Sequence, residues 1–548
     1  MYIGISNDKS VHGKKLKQGG TCIIYKDKIS IAISEERLTR EKASGGYARS
    51  LSYCLDSLSA SESDIKIITT SSCCDYQAET SHFKSKRNQL LVNNHHFSHA
   101  LSSFYCSSFD EAIVIIMDGG GNTLSDNGRA NWWECSREQV SIYIANGNDI
   151  KLIKRLFDKP FDIGYGEMFR CVTKYLGFGS AENVGKVMAL AGCYNGAVDA
   201  NFDIFDPKNK LVNNPLEPLA AIDSFISLKN LSIKPRLDNS DIKEDHIYLA
   251  YLIQKNLQDS LLKVVDDLIQ RTGIKNFCFS GGVALNCIAN TFILNNSNIK
   301  RLFIQPAAND SGQCVGNAIF SYLKEKPKDV RFDMSNCYLG REYSIEKSDI
   351  INLISIKYRK LSILSFSKEN TILYAADLLS KMNVIGFFSG KSEFGPRALG
   401  NRSILASPSC NKLKEYINCK VKCRESFMPL AASVMKEFAS DYFEGDISKF
   451  MSLAPIVKPS MRSKISAVVH SDNSCRAQSV DKADNPYFYQ LLDKYYSITN
   501  VPVLLNTSMN ARGMPIVETL EDALLWFDSS PLEYLVVNEF IMGKFKAL

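Results

Sequence analysis

The chain has 548 residues, 65 Lys and Arg against 59 Asp and Glu for a net charge of +6, and 45% hydrophobic residues. That length is too great for one core at roughly 150 residues per domain, and it implies two large domains. The mild charge excess forms no long basic block, so charge does not demand a nucleic-acid partner. The start, MYIGISNDKS, lacks a basic and then apolar leader, and no run approaches the ~18 apolar residues of a membrane helix. The chain therefore reads as cytoplasmic, with no nucleic-acid or membrane partner. Its 16 cysteines are scattered without a CxxC pair, which argues against zinc ribbons and thioredoxin-like motifs and for buried thiols.

In chain order, Tyr2–Ser6, Thr21–Tyr25 and Ile29–Ile33 read as opening strands, with His12 in the first turn. Ser34–Lys42 is dense in charge, either a solvated surface or a ligand-facing strand end. Asn93–Gly121 carries the strongest signal. His95 and His99 stand i and i+4, so a helix would project both imidazoles from one face. The apolar run Ala112–Met117 reads as a buried strand that delivers Asp118, and Gly119, Gly120 and Gly121 follow at once. A strand-end carboxylate beside unhindered backbone amides suits metal and phosphate together. Paired imidazoles with carboxylates favour iron, zinc or manganese over magnesium or calcium, and the spacing selects none of the three. The alternative is a polar helix surface.

Further on, Trp132 and Trp133 could stack on a sugar ring or simply pair in a core. Gly185-Lys186 sits at a helix start without being a Walker loop. Asp245–Thr272 is the longest helical pattern, its apolar stripe packing into the core. Phe277–Ser280 reads as a buried strand, and Gly281-Gly282 opens a helix carrying Asn286. Arg301–Ile304 repeats the pattern and leads to Asp310, either a further metal ligand or a helix N-cap. Lys324–Ser344 is the expected linker, dividing the chain into domains 1–335 and 345–548. In the second, a helix near Glu369–Met382 and a strand Val384–Phe388 lead into Gly390–Ser403, with Arg397. Lys422, Arg424 and Arg476 follow, then a strand Val503–Leu505 ending in Asn506 and Ser508. Cations on separate strand-adjoining loops imply a convergent pocket for a small phosphorylated ligand.

The segments EERLTREK, NHHFSHA, MDGGG, NVGKVMALA, FSGGVALNCIAN, PAANDSG, SEFGPRALGNRSILA, KVKCRESFMPLAASV and NTSMNARGMPIV occur in an order that resembles the O-carbamoyltransferases, among them those acting on nodulation factors, tobramycin and cephamycin. The resemblance covers nearly the whole chain. It implies an α/β protein with an N-terminal actin-like (ASKHA) domain, similar to the tRNA threonylcarbamoyl transferase, followed by a YrdC-like α/β domain. It implies that carbamoyl phosphate and ATP give carbamoyl adenylate in the second domain. The carbamoyl group would then pass to a hydroxyl of a small natural product or sugar in the first. Fe(2+) or another divalent transition metal would be held by His95, His99, Asp118 and Asp310, with Mg(2+) and a homodimer as further expectations.

By the same resemblance, His12 and Asp118 would be catalytic, His12 as general base. Lys42, Gly119, Gly120, Gly121, Gly185, Lys186, Gly281, Gly282 and Asn286 would hold adenylate in the first domain. Arg397, Lys422, Arg424, Arg476, Asn506 and Ser508 would hold carbamoyl phosphate and nucleotide in the second. Three positions depart from the family: a basic insertion, Lys14-Lys15-Leu16-Lys17, follows His12, Met428 stands for an arginine, and Met509 for a phenylalanine. The alternatives are a tRNA threonylcarbamoyl-type transferase, a hydrogenase-maturation type, and a catalytically silent actin-like partner.

Overall fold

A computed structural model describes residues 1–6, 18–72, 89–122, 137–157, 164–196, 233–237, 240–326, 330–357, 361–365 and 367–544. The chain divides into two units, one of residues 1–36 and 43–334, the other of 37–42 and 335–548.

The first unit contains one arrangement twice. Strands β1 (Tyr2–Ser6), β2 (Gly20–Tyr25), β3 (Lys28–Ser34), β4 (Ile67–Ser72) and β5 (Gln89–Asn94) form a sheet of order β3-β2-β1-β4-β5. The hairpin strands β1 to β3 pair antiparallel, and β4 and β5 join parallel. Strands β6 (Glu111–Met117), β7 (Glu138–Asn146), β8 (Asp149–Phe157), β9 (Asn276–Ser280) and β10 (Arg301–Ile304) repeat that order as β10-β9-β6-β7-β8. The same pattern of directions recurs. This duplication is the topology of the actin-like fold. Parallel neighbours need a crossover, and those from β1 to β4, from β6 to β9 and from β9 to β10 contain helices. One of them contains the helix Glu244–Thr272, which buries Leu249, Leu252, Ile253, Leu257, Leu261, Val265 and Leu268 and ends on Gly273 at φ 72°.

The last helix of each repeat packs on the other repeat's sheet. His95–Phe104, which follows β5, lies against β6 and β9, while Gln313–Glu325, which follows β10, lies against β1, β2 and β4. The two helices also pack on each other, and glycines make this possible. A Cβ at Gly316 would stand 1.8 Å from the Ser98 carbonyl, and one at Gly4 would stand 1.9 Å from that of Cys314. No longer side chain fits at either contact. The helix N-termini and strand ends of both repeats thus meet at one place.

The second unit is built on an eight-stranded sheet. Its strands are β11 (Ser362–Ser365), β12 (Ile385–Phe388), β13 (Arg402–Ala406), β14 (Ala431–Met435), β17 (Ala477–Val480), β18 (Val503–Ser508), β19 (Tyr534–Val537) and β20 (Phe540–Gly543), with a short pair β15 (Phe443–Glu444) and β16 (Ile456–Val457) apart. The order is β11-β20-β19-β12-β13-β18-β14-β17. The helices Lys368–Ser380 and Pro486–Thr499 cover one face through Leu379, Phe488 and Leu492. The helix Leu520–Ser529 covers the other through Leu524 and Phe527.

The expected strands and helices appear with ends shifted by a residue or two, and two readings need correction. β18 continues through Asn506 to Ser508, so these residues lie inside the sheet and not in a loop beyond it. Gly281-Gly282 opens a 3-10 turn, Gly282–Leu285, and the α-helix starts only at Cys287 with Asn286 as its N-cap.

Candidate functional site

The helix His95–Phe104 begins where the Asn94 side chain accepts the Phe97 amide, the usual way to satisfy a first-turn N–H. Asn122 from the β6–β7 connection accepts the His95 amide at 2.8 Å. His95 and His99 then fall on one face, 5.2 Å between ring centres. Asp118 follows β6 directly and divides its oxygens. Oδ1 accepts the amides of Gly119 at 2.7 Å and Gly282 at 3.3 Å, leaving Oδ2 3.0 Å from His95 Nε2 and 3.6 Å from His99 Nε2. Asp310 arrives from the turn after β10, its Oδ1 3.5 Å from His95 Nε2 and 3.6 Å from His99 Nε2. Asp310 caps no helix, since Gly312 holds the N-cap position before Gln313.

Ligands at about 2.0–2.2 Å around one ion stand roughly 3–3.5 Å from each other, and the ligand atoms of these four side chains all lie within 4.8 Å of one another. The imidazoles are fully buried and Asp310 is about one-third exposed, so the cluster is closed on one side and open on the other. His99 tests the fit most directly. Its Nδ1 is 3.1 Å from Ser280 Oγ at the end of β9, and its Nε2 is buried without a hydrogen-bond partner. A hydrogen bond behind the ring with a bare nitrogen in front is the arrangement of a metal-binding histidine. Burial opposes charge on Asp118, yet the hydrogen bond with His95 and the neighbouring His99 imidazole hold its carboxyl well below the usual range. Burial also opposes charge on His99, and the carboxylates of Asp118 and Asp310, each 3.6 Å from its Nε2, outweigh it, raising its pKa. An ion would take the place of those protons.

The middle histidine faces away from the cluster. His96 Nδ1 meets Ser141 Oγ at 2.8 Å, and burial drives its pKa well down. The ring lies where Gly121 would carry a side chain, 2.6 Å from a Cβ built there. Gly119 and Gly185 have open space at that position, and Gly281, at φ 89°, lets its backbone pass Met117. Gly120 lies half-buried between Gly119 and Gly121. Lys186 is buried with its ammonium over the Phe178 ring. Asn286 is already engaged, capping its helix through Ala289 and exchanging two amide hydrogen bonds with Gln254. His12, Trp132 and Trp133 lie outside the described residues.

The cations of the second unit form a connected set. Lys422 is buried, and its ammonium donates to the Ser508 carbonyl and hydroxyl and to the Asn510 carbonyl and side-chain oxygen. Burial, then Arg424, then Lys42, lower its pKa well below the ordinary lysine value. Arg424 donates to Asn418 Oδ1 at 2.8 Å, and burial with the neighbouring Arg476 brings its pKa down to about 10. Mutually repelling, partly desolvated cations are at home where an anion binds. Arg397 lies in the turn between β12 and β13, half-buried.

Lys42 needs reassignment. The sequence placed it with the first domain, but Arg37–Lys42 belong to the second unit. Arg37 is buried and donates to the carbonyls of Glu393, Gly395 and Val517, while Arg40 donates to those of Pro515 and Ile516. Arg37 is thus buried while Glu41 and Lys42 at the end of the segment are exposed. Sequence reading also missed Ser280, whose only signal is its place before Gly281-Gly282, and Gln313, whose amide nitrogen lies 3.3 Å from His95 Nε2.

A duplicated actin-like fold with a histidine and aspartate cluster able to hold one transition-metal ion, joined to a second α/β unit with a cationic face, defines the class. The carbamoyltransferase N-terminus matches residues 75–319 and the carbamoyltransferase C-terminus residues 376–544. An uncharacterized protein of Methanocaldococcus jannaschii is 32% identical over 536 residues, 96% of this chain and 97% of its own. The nodulation protein NolNO of Sinorhizobium fredii is 29% identical over 566 residues, 96% of this chain and 79% of its own. Full-length HypF covers 60% of this chain and 56% of its own at 11% identity with a TM-score of 0.35, too slight a likeness to add to the topology. The chain belongs to the carbamoyltransferase family and is a transferase enzyme. Among the described residues no helix is long and apolar enough to cross a membrane.

Proposed function

We propose that the protein is an ATP-dependent O-carbamoyltransferase acting on a hydroxyl of a small natural product or sugar. In a carbamoyltransferase chain, the observation that carries this reading is the convergence of His95, His99, Asp118 and Asp310. In the second unit, which we read as YrdC-like, Arg397, Lys422, Arg424, Arg476 and Lys42 would bind the phosphates of carbamoyl phosphate and ATP. Water releases phosphate from carbamoyl phosphate, and the resulting carbamate oxygen attacks the α-phosphorus of ATP. Pyrophosphate leaves and carbamoyl adenylate forms. Fixed cations favour this step by offsetting charge that builds on the transferring and leaving phosphates.

The adenylate is then consumed at the first unit. There the Gly119–Gly121 and Gly281–Gly282 turns would let backbone amides approach its phosphate. His12 would take the proton of the acceptor hydroxyl as its oxygen attacks the carbamoyl carbon, and AMP leaves with the bonding pair. A transition metal such as iron, when bound, supplies Lewis acidity toward a carbonyl or phosphoryl oxygen. His95, His99, Asp118 and Asp310 would hold it, Ser280 fixing the His99 imidazole and Asn122 the His95 backbone.

The test is pyrophosphate release from ATP by metal-loaded protein without acceptor. Release is expected only with carbamoyl phosphate and is expected to vanish in Arg476→Ala. Folded protein that releases none under these conditions overturns the adenylate step.

A further inference from the structure

Asn506 lies on β18 in the middle of the second unit's sheet, between β13 and β14. Its side chain joins a hydrogen-bond chain whose polarity is set at one end by a backbone carbonyl. Gln478 Nε2 donates to the Leu399 carbonyl at 2.9 Å, which obliges Gln478 Oε1 to act as acceptor. Ser433 Oγ donates to that oxygen at 2.7 Å. A hydroxyl has one proton, so Ser433 Oγ is left to accept from Asn506 Nδ2 at 2.9 Å. Asn506 Nδ2 also lies 3.3 Å from the Ala398 carbonyl, another pure acceptor. An amide's nitrogen and oxygen are distinguished by their network, and this network admits one orientation.

The consequence falls on the other end of the amide. Asn506 Oδ1 is buried and has no hydrogen-bond partner. A buried acceptor left unmade is costly, and native structures rarely keep one without a use. Its surroundings indicate the use. Ala398 adjoins Arg397 in sequence, Arg476 comes two residues before Gln478, and Ser508, two residues along the same face of β18, is half-exposed and receives Lys422. The acceptor therefore lies on the strand face that carries Ser508 and its partner Lys422, with Arg397 and Arg476 close in sequence to its other partners.

We infer that Ser433 and Gln478 are positioning residues that lock Asn506 with its carbonyl oxygen toward the ligand, so that the site requires an N–H donor beside the phosphate and selects carbamoyl over acetyl phosphate. The inference rests on the carbamoyl phosphate reading above. Both acyl phosphates present the same charge and carbonyl. Only the carbamoyl group ends in NH2, and a methyl in its place leaves Oδ1 unpaired. Sites built to receive a substrate N–H discriminate strongly against analogues that lack it.

Phosphonoacetamide and acetonylphosphonate, stable mimics that differ in NH2 against CH3, provide the test by calorimetric titration of the full chain. Wild type is expected to prefer the amide by tenfold or more. Gln478→Met and Ser433→Ala release the amide of Asn506, and the preference should fall toward unity while inorganic phosphate still binds. Ser433→Thr retains the hydroxyl and should retain the preference. Equal binding of both phosphonates by wild type, or an unchanged preference in folded Gln478→Met and Ser433→Ala, overturns the inference alone. Wild type that binds inorganic phosphate but neither phosphonate overturns the carbamoyl phosphate reading beneath it.

Discussion

Asp118 shows how one side chain can serve fold and chemistry with different atoms. Its Oδ1 ties the ends of β6 and β9 through Gly119 and Gly282, while Oδ2 faces the two imidazoles. Asp118→Asn keeps an oxygen for the amides and removes the anionic ligand. Its thermal midpoint should stay close to wild type while metal affinity drops by at least about a hundredfold, as a competition titration with a chromophoric chelator would show. Lys422 makes a second residue-scale prediction. Its folded pKa lies below the unfolded value near 10.5 because of burial, Arg424 and Lys42, so the ammonium is disfavoured in the ligand-free fold. An anion reverses this, and binding takes up a proton in the window beneath the unfolded value. Affinity for pyrophosphate should therefore decline as pH rises through that window. Calorimetry in buffers of different ionisation enthalpy would reveal the uptake, and it should disappear in Lys422→Met.

At the scale of elements, the ligand geometry depends on how closely two helices approach. His95 and His99 ride on one and Asp310 immediately precedes the other, and their contact passes over Gly316. Gly316→Ala places a Cβ against the Ser98 carbonyl, so the helices must separate. The expected cost is roughly 1–3 kcal/mol, read as a lower urea midpoint, together with weaker metal binding although no ligand is altered. The sequence pointed to these four clustered side chains because each has a local signal: i,i+4 spacing for the histidines, a strand-end carboxylate before glycines for Asp118, a strand and turn for Asp310. It disclosed the duplication poorly, since the two repeats share a topology but no residue pattern. It also concealed the end of β18, because Asn506, Thr507 and Ser508 break the apolar run that marks a buried strand. Asn506 has its side-chain partners on β14 and β17, and Ser508 receives Lys422, and no local pattern contains those.

The same limit governs the whole molecule. Arg37 reads as one more charge in EERLTREK, yet its partners, the carbonyls of Glu393, Gly395 and Val517, lie more than 350 residues away in sequence. No window of sequence can show that a buried guanidinium closes a loop so distant. The second unit is therefore discontinuous in the chain, and cutting before Ser335 yields a fragment without Arg37, Arg40 and Lys42. Five carbonyls then lose a charged donor, and each unsatisfied buried group costs roughly 1–3 kcal/mol, a large part of the stability available to a domain. The fragment 335–548 should be cleaved by protease under conditions where the full chain resists. Arg37→Met in the full chain should lower the unfolding midpoint of the second unit, because methionine fills part of the space and donates nothing. A fragment 335–548 as resistant as the intact protein would show that the segment merely rests on the second unit without completing it.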